Sequence, residues 1–545
     1  MQKTISNLFI LDFETIIKDT KHYILKIGLL IITHNKQIIK LYSIPKNTVS
    51  DNYSFISNIT QYTKKYSTAI IYCHNLSKFD GPILLNIFNN IPEVKVNRIL
   101  ITNNQIISIE VTYNCRLMVF KDSLKLLPYS LKKLAKIFST SSKQRLPYNP
   151  RADEIDLNKV VNYLKLDLEI LGLILRKYYF LINSSFKLNI FNYYGSPSLS
   201  VKLFRAFNNN LNFTIRNKKI KKFIRKSYKG GILYSAQGTT SKAKSYDINS
   251  LYSFSMLNKQ PTGTPKLIKT KNVKKVFGFL KVKIISGKRE NFPLNLRRKY
   301  FFSEEVKFLE NWGVIFVIIK SYKFNCSSKL FNKFNVMFYI MKQENLTLGM
   351  SLSKVMLNSL YGKLGMKENP NSFTTEENKT PLINLITNKQ MYTPLSLRQS
   401  EDFKGKKILE RTVNSVAIAS AVASYSRIFM YQHLTIKNIS PSYIDTDSLI
   451  LDSSTRKLLL NSNLGSFKKV SPVSYDSNIF VNLKSYILLS KKTNKTLLKG
   501  LRSTSWESLE PLKIKKVTNL YETRWQSTTF NILIQTRKIG LTFRR

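Results

Sequence analysis

Apolar residues in the first third of the chain fall into short blocks, each closed by a polar turn. Leu8-Phe9-Ile10-Leu11-Asp12-Phe13 is an apolar run of strand length that ends in acids. Residues 24–33 and 37–43 predict two more strands, and 67–73 another, followed by the polar turn His74-Asn75-Leu76-Ser77. The period then changes. Leu157, Val160, Val161, Leu164, Leu168, Leu171 and Leu175 recur at helical spacing, with Asp156 placed to cap the helix. Strands followed by that helix predict a compact α/β unit ending near residue 185.

Residues 186–227 are rich in Asn and Lys, carry Gly195 and Pro197, and read as a connector. A Gly pair and a strand-to-helix transition occupy 228–260, and short strands with basic loops occupy 261–340. A helix is expected over 344–363. The polar stretch 366–410, with Pro370, Pro381 and Pro394, predicts a loop-rich insertion. A small-residue helix is expected at 412–432 and a hairpin at 441–451. The last hundred residues are basic and strand-like. There is no internal repeat and no low-complexity tract.

The 545 residues allow two to four domains, and 43% hydrophobic with 12% aromatic content suits packed cores rather than disorder. Lys and Arg number 87 against 32 Asp and Glu, a formal net charge of +55. Part of that excess follows from an AT-rich coding bias, since Lys, Asn and Ile are all abundant. The remainder opposes compaction and points to a polyanion, read here as a phosphate backbone. Cys73, Cys115 and Cys326, with four scattered histidines, exclude a zinc module and a disulfide framework. No apolar run is long enough to span a bilayer, and the first residues carry neither a signal peptide nor an Arg-rich presequence. No membrane partner is expected, and the protein is expected to be made where it acts.

Scarce carboxylates make the acidic sets informative. Asp12 and Glu14, two apart on a strand, share a face; Tyr163 and Asp167, four apart on a helix, do likewise. Asp80 closes the segment that begins at His74. Gathering Asp12, Glu14, Asp80 and Asp167 leaves like charges unpaired unless divalent cations neutralise them. Two ions would suit phosphodiester hydrolysis, with Tyr163 orienting the water. A second set lies later. Asp247 ends an apolar stretch, and Asp445 and Asp447 occupy the turn of the expected hairpin. Lys354, Asn358 and Tyr361 share one helix face, offering a cation for a triphosphate with an amide and a ring for a base. This combination is what nucleotidyl transfer requires.

In this order the signatures resemble the protein-primed family B DNA polymerases of linear plasmids, adenoviruses and some tailed phages, from residue 8 to about residue 500. The resemblance implies a ribonuclease H-like 3′–5′ exonuclease domain followed by a right-hand polymerase, an α/β plus α+β multidomain chain. Its exonuclease motifs match Asp12/Glu14, Asn75–Asp80 and Tyr163/Asp167, with Asn75 and Phe79 as ligands of a single-stranded 3′ end. Ser123 and Leu124 resemble a further contact to that strand and to the terminal protein. Tyr228-Lys229-Gly230-Gly231 matches the Tyr-x-Gly-Gly segment that holds template. Asp247–Tyr252, Lys354–Gly362 and Tyr443–Ser448 match polymerase motifs A, B and C, and Lys484-Ser485-Tyr486 the Lys-x-Tyr motif at the primer terminus. By this resemblance Asp247 and Asp447 ligate the polymerisation metals beside Asp445, while Tyr252 stacks under the sugar and excludes a 2′-hydroxyl. Lys354 then binds the triphosphate, and Asn358 and Tyr361 line its pocket.

Two departures stand out. Ser253 replaces the usual Pro after motif A, and Ala423-Ser424-Tyr425-Ser426-Arg427 lacks the Thr of the Thr-x2-Gly/Ala-Arg motif while keeping Arg427 as a DNA contact.

The implied domains are exonuclease 1–185, connector 186–227, palm with terminal-protein-type insertion 228–340, fingers with second insertion 341–411, second palm piece 412–485 and thumb 486–545. The implied cofactor is Mg²⁺ or Mn²⁺, two ions per site. The implied partners of this monomer are template-primer DNA, dNTPs and a terminal protein that acts as primer and is supplied separately, because the first exonuclease motif lies so near residue 1. A mitochondrial linear plasmid or an integrated copy is the expected setting, with a phage origin as the other. The competing readings are a nuclease-only or degenerate relic that binds DNA without synthesis, a non-catalytic basic binding protein, and a reverse transcriptase, against which Asp-Thr-Asp in place of adjacent aspartates speaks.

Overall fold

A computed structural model describes residues 8–366 and 415–498, with short interruptions, together with strand Ser372–Thr374, which pairs with Lys95–Thr102, and the paired strands Thr529–Ile534 and Arg537–Thr542. The chain divides into two compact units, each built from two stretches of sequence: 1–209 with 333–414, and 210–332 with 415–545.

The first unit is organised by β1 (Leu8–Lys18), β2 (Lys21–Ile32), β3 (Gln37–Tyr42), β4 (Thr68–Cys73), β5 (Lys95–Thr102), β6 (Gln105–Tyr113) and β7 (Arg116–Asp122). They lie in the order β5-β6-β7-β4-β1-β2-β3. β1, β2 and β3 are antiparallel, whereas β4 runs parallel to β1 and β7 parallel to β4. This is a ribonuclease H-like sheet with the β5–β6 hairpin added before β7. Alternation along β1 separates two faces. Phe9, Leu11 and Phe13 join a core with Phe55, Ile59, Leu84 and Phe88 from helices Val49–Thr63 and Asp80–Asn89.

The other face meets helix Leu157–Phe186, which packs on β1 and β2. Its start is fixed as the sequence predicts, with the Asp156 carboxylate accepting from the Asn158 and Lys159 N–H groups at 2.9 and 3.3 Å. Its seat is Gly28. A Cβ there would lie 2.5 Å from Leu168 Cδ1 and 3.0 Å from Leu164 Cγ. Gly28 is the register partner of Asp12 across β1 and β2. The same close approach that needs a glycine therefore brings the Tyr163/Asp167 face of the helix to the acidic face of β1.

The connector expected at 186–227 is largely helical, and its halves belong to different units. Helix Ser196–Ala206 packs on helix Leu346–Gly365, with the Ser196 and Ser359 hydroxyls 3.0 Å apart. Helix Lys218–Arg225 buries Ile224 against Val416, Ala417 and Ala421. Each apolar face is short and interrupted by Ser, Lys or Arg, which masks its period.

The second unit carries an antiparallel sheet in the order Lys495–Leu498, Ser485–Leu489, Tyr475–Asn482, Gly238–Ile248, Ser448–Asp452, Pro441–Asp445 and Leu233–Ser235. Helix Val416–Leu434 places Met430, Tyr431 and Leu434 against Ile444, Leu449 and Leu451 of this sheet. The sheet runs past residue 485, the limit expected for the palm, because Tyr486 and Leu488 pack with Tyr443 and Phe480. The segment between motifs A and B forms its own sheet of Lys266–Ile268, Ile315–Lys323, Gly278–Ser286 and Tyr300–Phe302, with helix Ser303–Asn311. Most of the polar insertion expected at 366–410, and most of 499–545, lie outside the described residues. Among the described residues no helix is long and apolar enough to cross a membrane.

Replacing Gly28 with Val should overpack the seat of helix Leu157–Phe186 and lower stability by roughly 1–3 kcal/mol. Urea denaturation would show a lower midpoint; an unchanged midpoint would mean that the helix is not seated there.

Two acidic centres as candidate active sites

In the first unit, Asp12 and Glu14 on β1 and Asp167 on the long helix each offer an oxygen within 4.8 Å of the others. They line a cleft of about 300 Å³ with Thr15, His74, Phe79, Lys143, Tyr148 and Tyr163. Asp80 begins helix Asp80–Asn89 beside them; it is buried, and neither of its carboxylate oxygens has a hydrogen-bond partner. Oδ1 of Asp167 is likewise unpartnered. Lys143 neutralises part of this charge by bonding Asp167, and its ammonium lies 5.0 Å from the centre of the Tyr163 ring. The Tyr148 hydroxyl donates to Glu14 Oε2 at 2.6 Å.

The acids hold their protons tightly. Burial, then Glu14 and Asp167, raise Asp12 to about 8. Burial raises Glu14 to about 7 against the Tyr148 hydrogen bond, with Asp167 adding to the rise. Burial and the neighbouring Asp12 and Asp122 carry Asp80 well above the carboxylate range. Burial raises Asp167 as well, and Lys143 opposes it. An all-oxygen donor set with excess negative charge and orphaned buried oxygens fits a hard divalent cation such as Mg²⁺ or Mn²⁺.

The residues expected to hold a single strand divide. Phe79 lines the cleft. Asn75 sits in the left-handed region (φ 86°), its N–H held by Asp122 Oδ1 at 3.1 Å. Ser123 and Leu124 do not line the cleft. Ser123 is buried; its hydroxyl donates to the Cys73 carbonyl at 2.9 Å and lies 3.0 Å from His74 Nδ1, while the Leu124 N–H donates to Asp122 Oδ1 at 3.0 Å. Ser123 thus meets the cleft through His74, which does line it. Lys143, Tyr148 and Thr15 were not legible in the sequence. Lys143 follows a Ser-rich stretch with no periodicity, one cation among 87.

In the second unit Ser448 and Asp247 are register partners on adjacent strands, and Asp445 pairs with Ser448 across the hairpin. Thr446 makes the turn in a left-handed conformation (φ 61°). Lysines hold the carboxylates. Lys468 Nζ lies 2.8 Å from Asp247 Oδ2, the Ser448 hydroxyl donates to Asp247 Oδ1 at 3.2 Å, and Lys484 Nζ lies 2.6 Å from Asp445 Oδ2. The Asp447 N–H donates to the Asp445 carbonyl at 2.7 Å. Tyr252 is half-buried on helix Leu251–Met256. Lys354 and Asn358 are exposed and Tyr361 is half-buried on helix Leu346–Gly365, within the first unit.

Three expected DNA contacts are engaged within the chain itself. Arg427 is 4% exposed, and its guanidinium is saturated by Glu305, the Ser424 hydroxyl and the carbonyls of Lys229 and Gly230, so no donor is left for a phosphate. Tyr486 is buried, 4.9 Å ring to ring from Tyr443, and props the hairpin strand. Gly231 admits close approach, but to the protein's own turn: a Cβ would lie 2.6 Å from Thr446 Cγ2. Gly230 and Lys484 remain at the surface, and Tyr228 is half-buried.

The sequence matches the family described as DNA polymerase type B, organellar and viral, over residues 60–154 and 149–439. It is 29% identical over 478 residues to a probable DNA polymerase of Neurospora intermedia, covering 71% of this chain and 48% of that protein. It is 26% identical over 343 residues to the DNA polymerase of Streptococcus phage Cp-1, covering 55% and 59%. The chain spans less than half the length of the Neurospora, Ascobolus immersus and Podospora anserina relatives, at 48%, 44% and 41%. Phi29 DNA polymerase complexed with single-stranded DNA has the same fold, with a TM-score of 0.68 at 17% identity over 94% of each chain. Its ternary complex with primer-template DNA and incoming nucleotides gives 0.68 at 17% identity over 99% of this chain and 100% of that one. A ribonuclease H-like sheet with an acidic cleft, and a separate antiparallel sheet with an acidic hairpin, thus occur in a chain that belongs to the organellar and viral type B DNA polymerases.

Proposed function

We propose that the chain is a DNA-directed DNA polymerase that also removes nucleotides from the 3′ end, with synthesis and trimming carried out at separate acidic centres. The observation that carries this reading is the presence of both carboxylate sets, on two distinct units, in a member of this family. The names of the relatives and the DNA-bound state of the phi29 enzyme support it.

Magnesium or manganese, which these acids would hold, would supply charge neutralisation at the phosphodiester and acidify the attacking water. At the trimming centre Asp12, Glu14, Asp80 and Asp167 are the ligands. Tyr163 and Lys143 orient the attacking water, Tyr148 fixes the Glu14 carboxylate, and Phe79 gives the terminal base an apolar wall. At the synthesis centre Asp247 and Asp447 are the ligands, with Asp445 beside them, and two ions serve each centre. Tyr252 supports the sugar there. Helix Leu346–Gly365 of the first unit carries the residues proposed for a nucleotide, Lys354 for a triphosphate and Asn358 and Tyr361 for a base. We further propose that synthesis starts on a terminal protein, that the replicated DNA is a linear plasmid, and that the setting is the mitochondrion. The family description, organellar and viral, supports this setting.

Primer extension and 3′ trimming should separate on mutation. Asp447→Ala should lose extension by on the order of a hundredfold or more and keep trimming, and Asp12→Ala the reverse. Labelled primer on a DNA template with Mg²⁺ and dNTPs reads both. A folded wild type that trims but never extends, with or without added terminal protein, would leave a nuclease.

The trimming centre should also show itself without DNA. Because Asp12 and Glu14 are raised, the native cleft holds protons that the unfolded chain has released. The stability they contribute is full below the ordinary carboxyl range and lost as pH rises through about 7 and 8. Thermal melting in chelator should therefore fall from about pH 5 to about pH 8 and level off above it. Mn²⁺ should restore it, most strongly at the alkaline end, and Asp12→Asn should flatten both effects. A metal response that ignores pH and Asp12 would place the ion elsewhere.

A further inference from the structure

We infer that Glu305 is a positioning residue for the synthesis centre, fixing the Tyr228–Gly231 segment against the acidic turn through Arg427. Its kinetic consequence rests on the polymerase reading; its structural content does not.

Glu305 is fully buried on helix Ser303–Asn311, in the segment inserted between motifs A and B. Its carboxylate receives Arg427 in a fork, Nε to Oε1 at 2.8 Å and Nη2 to Oε2 at 2.6 Å, and Arg298 bonds the same Oε1. A guanidinium has five N–H donors. Arg427 directs the remaining three to the Ser424 hydroxyl at 2.8 Å, the Lys229 carbonyl at 3.0 Å and the Gly230 carbonyl at 2.8 Å. The next residue is Gly231, packed on Thr446 so closely that no Cβ fits. The Thr446 N–H in turn donates to the Ile232 carbonyl at 2.8 Å. Thr446 is the residue between Asp445 and Asp447. The contacts form an unbroken path from a carboxylate of the inserted segment to the catalytic turn.

The arrangement requires charge as well as shape. Burial acts to raise the Glu305 carboxyl, yet Arg298 and Arg427 hold it down at about 2. Without Glu305 the buried Arg427 guanidinium and the half-buried one of Arg298 would lie together uncompensated, and Arg427 would have no fixed direction from which to reach the two carbonyls.

The bland reading is a buried ion pair that only stabilises the unit. Hydrogen–deuterium exchange on the full chain separates the two, comparing peptides spanning 228–236 and 441–450 with the control strands 475–489. Arg427→Lys keeps a cation for Glu305 but cannot bridge to both carbonyls, and Glu305→Gln keeps the volume. Both should speed exchange about tenfold in the first two peptides and leave the control within twofold. Glu305→Asp should recover part of the protection. In primer extension the two variants should lower kcat about tenfold with little change in KM for dNTP, while 3′ trimming is unaffected. Unchanged exchange at 441–450 in Arg427→Lys, or an equal rise in all three regions in every variant, would overturn the inference. A wild type that shows the protection yet extends no primer would sink the polymerase reading and leave the positioning role standing.

Discussion

Like charges do not stay together in a partly desolvated cleft unless packing holds them there. In the first unit the holding contact is that of helix Leu157–Phe186 with β1 and β2 at Gly28, where Leu164 and Leu168 occupy the space a side chain would take. Asp167 lies between those two leucines in the helix, and Asp12 lies across the ladder from the glycine. Apolar packing on one side thereby sets the spacing of carboxylates on the other. The raised values of Asp12, Glu14, Asp80 and Asp167 record the cost of that spacing, and a divalent cation is the group that removes it.

The second unit meets the same repulsion differently. Asp247 and Asp445 are less buried, and each is paired with a lysine from a neighbouring strand or turn, Lys468 or Lys484. Solvent and a lysine ammonium close at hand both face these carboxylates, where the first cleft encloses its acids. Precision must then come from the backbone that carries them. The left-handed turn at Thr446 is braced by Gly231 and Ile232, the Tyr443 hydroxyl accepts the Lys484 N–H at 2.8 Å, and Tyr486 packs on the Tyr443 ring. Residues that read as DNA contacts by position in a motif thus also pack against the acidic turn and its strand.

That distinction marks where the sequence stops being readable. The strands at 8–18, 21–32 and 68–73, the long capped helix, helix Val416–Leu434 and the acidic hairpin are all legible, because each has a full period of apolar residues or a local cap. The grouping of Asp12 with Glu14 and Asp167 follows from side-chain periodicity on two such elements. Helices Ser196–Ala206 and Lys218–Arg225 are too short and too interrupted by Ser, Lys and Arg to declare themselves. Lys143 and Tyr148 come from an aperiodic loop, where only tertiary folding selects one lysine among many. Arg427 and Tyr486 match motifs whose residue types serve a phosphate or a core equally well, and only burial and partner geometry decide between the two.

The excess of positive charge then takes on a more specific meaning. Carboxylates are few, and the structure concentrates them where lysine or arginine is already in contact: Lys143 at Asp167, Lys468 at Asp247, Lys484 at Asp445, Arg298 and Arg427 at Glu305. These pairs account for only a handful of the cations. Helix Lys218–Arg225 shows how others are carried, with Ile224 buried and Lys218, Lys219 and Lys222 exposed, immediately before the Tyr228–Gly231 segment. Cations that find no carboxylate repel one another, and a polyanion that releases counterions as it binds relieves that repulsion at every site at once. On the proposed function, metal ions and nucleic acid are the answers to opposite halves of one electrostatic problem: the first to the crowding of acids in the cleft, the second to the crowding of bases everywhere else.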